Sequence, residues 1–336
     1  MAAGRTDRSD PVRRTRRPTG PAQPRHPGPA GGGVTGRPGQ RLGLLNPGHG
    51  HPLRVLEVLR AGALSTVQDQ GRPGWAHVGV PRSGALDPAA LRLANRLVGN
   101  PETAAGLEVT LTGCVLRLTR AGTVAITGAD VDVRVGDRPG DVGRPLAVPA
   151  GAVVRVGPPR SGLRSWLAVA GGIAVEPVLG SRSTDTLAGL GPPPLRDGDT
   201  LPLGDPPGDP APVDLTVGRP VPTELRLRLR LGPRDDWFTP DTLDLLFGTA
   251  YTISAVSNRV GTRLTGAPLP RAVAGELPSE GIVLGAVQVP ADGQPLIFLV
   301  DHPTTGGYPV VGVVDDVTGL AQARPGTTVR FHGPQR

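Results

Sequence analysis

Glu224-Leu225-Arg226-Leu227-Arg228-Leu229-Arg230-Leu231 alternates leucine with arginine over its whole length. Successive side chains of a strand point to opposite faces, so this period of two predicts a half-buried strand with a leucine face inward and an arginine face outward. On either side of it, short apolar runs recur between glycine- and proline-rich breaks. Val55–Leu59, Val115–Thr119, Thr123–Thr127, Val131–Val135, Val153–Val156 and Leu163–Ala170 read as further strands. Fifty glycines and 40 prolines in 336 residues, with 3% aromatics, fit many strands and tight turns, not a helical bundle. Two helices are expected. Asp87 caps one that starts at Pro88, carries Leu91, Ala94, Leu97 and Val98 as its apolar stripe and stops at Gly99. Thr239 and Pro240 open the other, which runs through Leu243, Leu246 and Phe247 to Gly248. The predicted class is mainly β.

Each half closes on a similar phrase, Gly198–Leu203 in one and Pro325–Phe331 in the other. That echo predicts two related β-barrel-like halves, 54–210 and 211–334, joined through the proline- and glycine-rich stretch Asp205–Pro222. Residues 1–53 are set apart by composition. They hold nine arginines and two aspartates, the whole of the net +7, while the remaining 27 arginines balance 27 acids. Without apolar periodicity this segment is expected to be a disordered basic tail. Arg13, Arg14, Arg16 and Arg17 resemble a twin-arginine signal, but Leu42–Leu45 is too short for the apolar stretch such a signal needs. A cytoplasmic location is therefore expected. The neutral body makes no electrostatic case for nucleic acid, and no run approaches the roughly 18 apolar residues of a membrane span.

All 36 basic residues are arginine. A phosphate-binding loop of the lysine type, a Schiff-base lysine and a biotinyl-lysine are thereby excluded from this chain. The lone Cys114 excludes an internal disulfide and a cysteine-rich zinc site, and its apolar surroundings predict a buried structural thiol.

Four segments combine glycine with polar groups. In Thr66–Trp75, Gln68, Asp69 and Arg72 surround Gly71. Arg72 either clamps a carboxylate at two points or bridges Asp69 within the turn. Ser83 follows, just before the first helix. In Leu179–Asp185, Ser181, Arg182, Ser183 and Asp185 sit on a glycine turn that either suits an anion or amide or closes a hydrogen-bonded loop between strands. In Ser257–Leu264, Asn258 offers both a donor and an acceptor, Arg259 and Arg263 stand four apart, and Gln288 lies downstream. Asp301, His302, Thr304, Thr305, Gly306, Gly307 and Tyr308 follow the apolar run Leu296–Val300 as a pocket wall, with His302 a candidate base. No recognised nucleophile elbow, zinc helix or dinucleotide fingerprint accompanies them, and no metal site is expected.

These segments, in order, resemble the allophanate hydrolase subunit 2 family, which includes KipA, the C-type component of 5-oxoprolinase and the matching part of the urea carboxylase carboxyltransferase domain. Thr66–Gly71, Ser83–Asp87, Ala94–Asn100 with Leu107 and Glu108, Leu179–Asp185, Ser257–Gly266, Ser279–Pro290 and Thr304–Pro309 carry the resemblance, which spans about 54–332. It implies cyclophilin-like barrels, a partner of the KipI-like or B-type 5-oxoprolinase kind, and an A-type 5-oxoprolinase protein as a third component. Together these would open 5-oxoproline to glutamate with ATP. Carboxyl transfer to urea or another amide, with biotin on another polypeptide, and regulation of a KipI-like partner are the other roles it implies. Pro303 stands where the family's last motif often has glutamine, and Ala188–Pro193 is less glycine-rich than usual. The glycine turns and Arg72, Arg182 or Arg259 would hold the substrate carboxylate, the phosphates and the developing oxyanion. The turns around Asp69, Ser181, Asn258 and Thr305 are expected to converge on one cleft.

Overall fold

The computed structural model describes residues 54–206, 221, 223–275 and 277–333. The basic tail 1–53 and the boundary expected at 210/211 lie outside the described residues. The chain is mainly β. Nine strands build the first sheet: β1 (Val55–Arg60), β2 (Leu64–Gln68), β3 (Gly106–Thr110), β4 (Cys114–Leu118), β5 (Gly122–Val135), β6 (Arg138–Gly140), β7 (Pro145–Val148), β8 (Val153–Val169) and β9 (Thr200–Pro202). Their main path is β2-β3-β8-β4-β1-β9, with β5 pairing β6, β7 and β8. It is a half-barrel built on two long strands.

The remaining strands are β10 (Glu224–Leu231), β11 (Ala250–Ile253), β12 (Gly261–Thr265), β13 (Glu280–Gly281), β14 (Ala286–Gln288), β15 (Leu296–Phe298), β16 (Thr305–Gly306), β17 (Val310–Val314) and β18 (Thr328–His332). Seven of them close a barrel in the order β10-β17-β14-β15-β12-β11-β18, and β13 pairs with β16 beside it. Closure leaves no unpaired edge in the ring. The alternation of β10 is realised through Leu229: Leu225, Leu227 and Leu229 are buried and the arginines between them are exposed, whereas Leu231 at the strand's end is exposed. The closing phrases perform similar tasks with opposite polarity. β9 runs antiparallel to β1, whereas β18 runs parallel to β10.

Both helices sit where their caps place them, α1 at Pro88–Leu97 and α2 at Pro240–Gly248. The Asp87 carboxylate accepts from Ala90 N and Thr239 Oγ1 from Thr242 N, each satisfying a donor that the first turn leaves open. α1 lies against β5 and β8. Its Leu91, together with Leu86 and Trp166 of the first half, joins the same apolar cluster as Leu229, Val287 and Val329 of the barrel. The two sheets therefore share a core across their junction. Cys114 is wholly buried, and burial pushes its thiol up to about 12, as an unreactive packing residue requires. No helix among the described residues is long and apolar enough to cross a membrane.

Candidate functional site

All four polar segments send side chains to the junction of the two sheets, and they meet inside it. Ser181 Oγ and Ser183 Oγ each donate to Asp69 Oδ1 at 2.6 Å, Gly71 N donates to the same oxygen at 2.8 Å, and Arg182 N donates to Asp69 Oδ2 at 2.6 Å. The glycine turn has the composition of an anion site. It does bind an anion, and the anion is the chain's own Asp69. Arg72 does not bridge Asp69. Its guanidinium donates to Ser183 O and to Val178 O, and Nη1 stands 4.0 Å from Asp185 Oδ2, with both side chains fully buried. Gln68 Nε2 donates to Thr184 O and Thr66 Oγ1. Burial raises the Asp185 carboxyl, against the opposing pull of the Ala188 and Leu187 N–H groups and Arg72. Burial likewise lowers Arg72.

A second buried network is continuous with the first. Ser83 Oγ donates to Asp301 Oδ1 at 2.8 Å and lies 3.0 Å from Thr184 O. Ser83 N donates to Val300 O, so the turn before α1 is stitched to the chain just beyond β15. Ser83 holds φ +49, a region that non-glycine residues seldom enter, and these bonds fix it there. Asp301 also accepts from Thr186 N and Thr186 Oγ1. Arg259 reaches across the junction: Nε and Nη2 donate to Asp301 at 3.0 and 3.1 Å, Nη1 to Glu108 Oε1 at 2.6 Å and Nη2 to Gly84 O at 2.6 Å. Four of its five N–H donors are thus in use.

Glu108 Oε2 accepts from Leu86 N and Trp166 Nε1, and its Oε1 lies 3.6 Å from Arg164 Nε. Burial alone would raise Asp301, but Arg259 and Thr186 outweigh it and hold the carboxyl below its ordinary value. Burial would lower Arg259, yet Glu108 and Asp301 raise it. Arg164, with less compensation, is pushed down by burial to about 10.

The sequence pattern assigns Arg259 to an anionic substrate. The structure gives it a different role, because a guanidinium 1% exposed and ligated by two carboxylates cannot also meet a ligand. Ser181, Ser183 and Arg72 are likewise spent inward. Arg182 is half-buried, with Nε donating to Val175 O. Asn258 is exposed and closes its own turn, its Oδ1 accepting from Val260 N and Gly261 N. Arg263 projects from β12 into solvent. Gln288 Nε2 donates to Tyr308 O, and Gly306 packs so close that a Cβ there would stand 2.8 Å from that nitrogen. Thr304 is half-buried, its O accepting from Ile282 N. Gly307 is half-buried, and Thr305 and Tyr308 are exposed.

The convergence therefore holds for the segments of Asp69, Ser181 and Arg259–Asp301, as a closed network. The side chains of Asn258 and Thr305 stay at the surface. Glu108, Arg164 and Arg82 lie outside the set of candidate side chains that the sequence offers. A charged residue within a run as apolar as Gly106–Val109 or Leu163–Leu167 is the signal for the first two. Nothing in the sequence singles out Arg82.

Two hollows stand out among the described residues. A cleft of about 160 Å³ lies at the junction, between Arg82, Leu86 and Pro88 on one side and Leu284, Val300 and Val314–Thr318 on the other. A wider concavity of about 1040 Å³ is framed by β5, β6 and β7. Its rim sets Asp130, Asp132 and Asp141 against Arg134, Arg144 and Arg160, and Arg160 is already bound to Asp130 and Asp132. The junction, where the buried polar segments meet and where Arg82 is exposed on the wall of the smaller hollow, is the better candidate site. Among the described residues no group of three His, Cys, Asp or Glu could hold a metal ion.

His302 borders the junction, 7% exposed, with Nδ1 2.7 Å from Pro303 O. Burial lowers its pKa, Pro303 O opposes this, and Arg82 adds to the lowering. The folded state then binds fewer protons than the unfolded chain as pH falls below about 6.5, the ordinary histidine value. Stability contributed by neutral His302 is present above that value and is lost as pH falls toward the folded pKa. Between pH 7.5 and 5 the wild-type melting temperature should decline, and His302→Gln should flatten the decline. An unchanged slope in the variant would show that His302 does not set it.

Residues 78–333 match the carboxyltransferase domain family, subdomains A and B. The chain is 39% identical to the C-type subunit of 5-oxoprolinase from Escherichia coli over 82% of its own length and 90% of that protein. It is 32% identical to the corresponding protein of Haemophilus influenzae with the same coverage. The crystal structure of the Kluyveromyces lactis urea amidolyase superposes with a TM-score of 0.78 at 30% identity, over 84% of this chain but only 19% of that one. With buried polar networks joining a half-barrel to a closed barrel, the chain belongs to the carboxyltransferase domain family, subdomains A and B.

Proposed function

We propose that this protein is the C-type subunit of an ATP-dependent 5-oxoprolinase, a hydrolase that opens the lactam of 5-oxoproline to glutamate. The observation that carries the reading is coverage: the chain aligns with 90% of the Escherichia coli C-type protein, against 19% of the urea amidolyase. A C-type protein implies others, and we assign a B-type (KipI-like) and an A-type 5-oxoprolinase protein as partners. ATP belongs with those partners. This chain has no lysine, its buried Arg259 is committed to its own carboxylates, and the junction cleft is too small for a nucleotide. ATP would activate the lactam carbonyl by phosphorylation, and this chain would position the substrate. A cytoplasmic location accords with that substrate.

Carboxyl transfer to urea or a related amide is the second reading, favoured by the superposition on the urea amidolyase. It requires biotin carried by another polypeptide, since a lysine-free chain cannot be biotinylated on lysine. Co-purification with the two partner types, followed by assay of glutamate and phosphate release from 5-oxoproline and ATP, separates the two. The expected result is turnover by the three proteins together and none by this chain alone. An intact three-protein complex that is inert on 5-oxoproline would overturn the proposal, as would full turnover by the isolated chain.

A further inference from the structure

The junction cleft is built differently from the networks around it. Arg72, Arg164 and Arg259 direct their guanidinium groups at partners inside the chain. Arg82 instead is exposed on the cleft wall. Its backbone is held on two sides: Arg72 N donates to Arg82 O at 2.7 Å, and the next residue, Ser83, donates to Val300 O and to Asp301. An arginine on a fixed stem at the mouth of a small hollow is preorganised for a carboxylate, which its fork can bind at two points. Behind it Leu86, Val300 and Val314 give an apolar floor, each almost wholly buried. Across the cleft Asp315 is paired with Arg228 and Arg230, while Asp316 accepts from Thr318 N with Oδ1, leaving its second carboxylate oxygen as an acceptor for a ligand N–H. The volume, about 160 Å³, matches roughly five waters at about 30 Å³ each. It admits a small ring, not a nucleotide.

We infer that this cleft binds a small cyclic amide bearing one carboxylate, with Arg82 as its carboxylate anchor, the apolar floor against its ring and Asp316 facing its N–H. This deepens the 5-oxoprolinase reading and rests on it for the identity of the ligand, 5-oxoproline. The cleft itself rests on the geometry alone.

Binding to the full chain can be followed by ligand-observed NMR with three probes: 5-oxoproline, 2-pyrrolidinone, which is the same ring without the carboxylate, and cyclopentanecarboxylate, which has the carboxylate without the amide. Wild type should bind 5-oxoproline about tenfold or more tightly than 2-pyrrolidinone, as expected when a charge-assisted pair is lost. Arg82→Gln should abolish that preference. Arg226→Gln, on the outer face of the barrel, should leave it intact. Equal binding of 5-oxoproline by wild type and Arg82→Gln overturns the cleft assignment, and so does absence of Arg82-dependent binding for both carboxylates. If the three-protein complex still turns over 5-oxoproline normally with Arg82→Gln, the cleft assignment falls while the proposed function stands. Arg82-dependent binding of cyclopentanecarboxylate without binding of 5-oxoproline supports the cleft and removes the lactam as its ligand.

Discussion

Replacing Arg259 by methionine should lower the unfolding free energy by about 3–5 kcal/mol, the usual cost of removing one partner from a buried ion pair. The reason lies in what remains. Glu108 and Asp301 are 1% and 0% exposed, and without the guanidinium two carboxylates would be left in the junction with Arg164, 3.6 Å from Glu108, as the nearest remaining ion-pair partner. Gly84 O would lose its donor as well. Since folded domains hold only about 5–15 kcal/mol in reserve, the variant should unfold at markedly lower denaturant, and the loss should be partly restored by adding Asp301→Asn, which removes one stranded charge and leaves Glu108 to Arg164. The acid limb should move too. Arg259 is the principal charge holding the Asp301 carboxyl below its ordinary value. In wild type the stability this gives is present above about pH 4, the ordinary aspartate value, and is lost as pH falls through the folded pKa. Without Arg259 the burial that raises this carboxyl loses its main opponent, so acid unfolding should begin at higher pH. A denaturation midpoint within about 1 kcal/mol of wild type would mean that the junction accommodates the two carboxylates by some other route.

Much of this fold is legible in residues whose effect is local. The period of two in Glu224–Leu231 and the caps at Asp87 and Thr239 need no tertiary partner to be recognised. Local reading fails where it is too literal. Thr123–Thr127 and Val131–Val135 are two parts of β5, and Val153–Val156 and Leu163–Ala170 are two parts of one continuous stretch built on β8. The glycines and prolines between them have the composition of breaks, but they are irregularities in a continuous ladder: the pairing of β5 with β8 shifts register between Gly128 and Val133 without stopping.

The site is harder to read for a physical reason. A sequence shows that Asp69 and Ser181 are polar and sit on turns, but not that 112 positions of separation close into a 2.6 Å hydrogen bond. Polar turns facing a ligand and polar turns facing each other have the same local composition. Burial decides between them, and burial is set by how the half-barrel meets the barrel.

Gly71→Ala should cost about 3 kcal/mol, against about 1 kcal/mol for Gly74→Ala only three residues away. Both glycines have positive φ, +82 and +96, so both variants force a side chain into left-handed backbone, at roughly 1–2 kcal/mol. They differ in surroundings. A Cβ at Gly74 meets nothing within 4 Å, whereas one at Gly71 stands 2.5 Å from Arg82 O and 2.6 Å from Ser83 O. Those are backbone atoms that cannot rotate away, and relieving such overlap costs about 1–3 kcal/mol more. The contact is reciprocal, since a Cβ at Gly84 would come within 3.0 Å of Gly71 and Gln70 backbone atoms. Two turns are thus pressed face to face and tied by Arg72 N to Arg82 O and by Ala85 N to Asp69 O. Pushing them apart displaces Ser83 from Asp301 and moves Arg82 at the cleft mouth, so Gly71→Ala should also weaken ligand binding while Gly74→Ala leaves it unchanged. Denaturation midpoints of the two variants, measured side by side, isolate the collision from the backbone strain they share. Equal midpoints would mean that the two turns can separate without cost, and that the junction is less tightly closed than the contacts of Gly71 require.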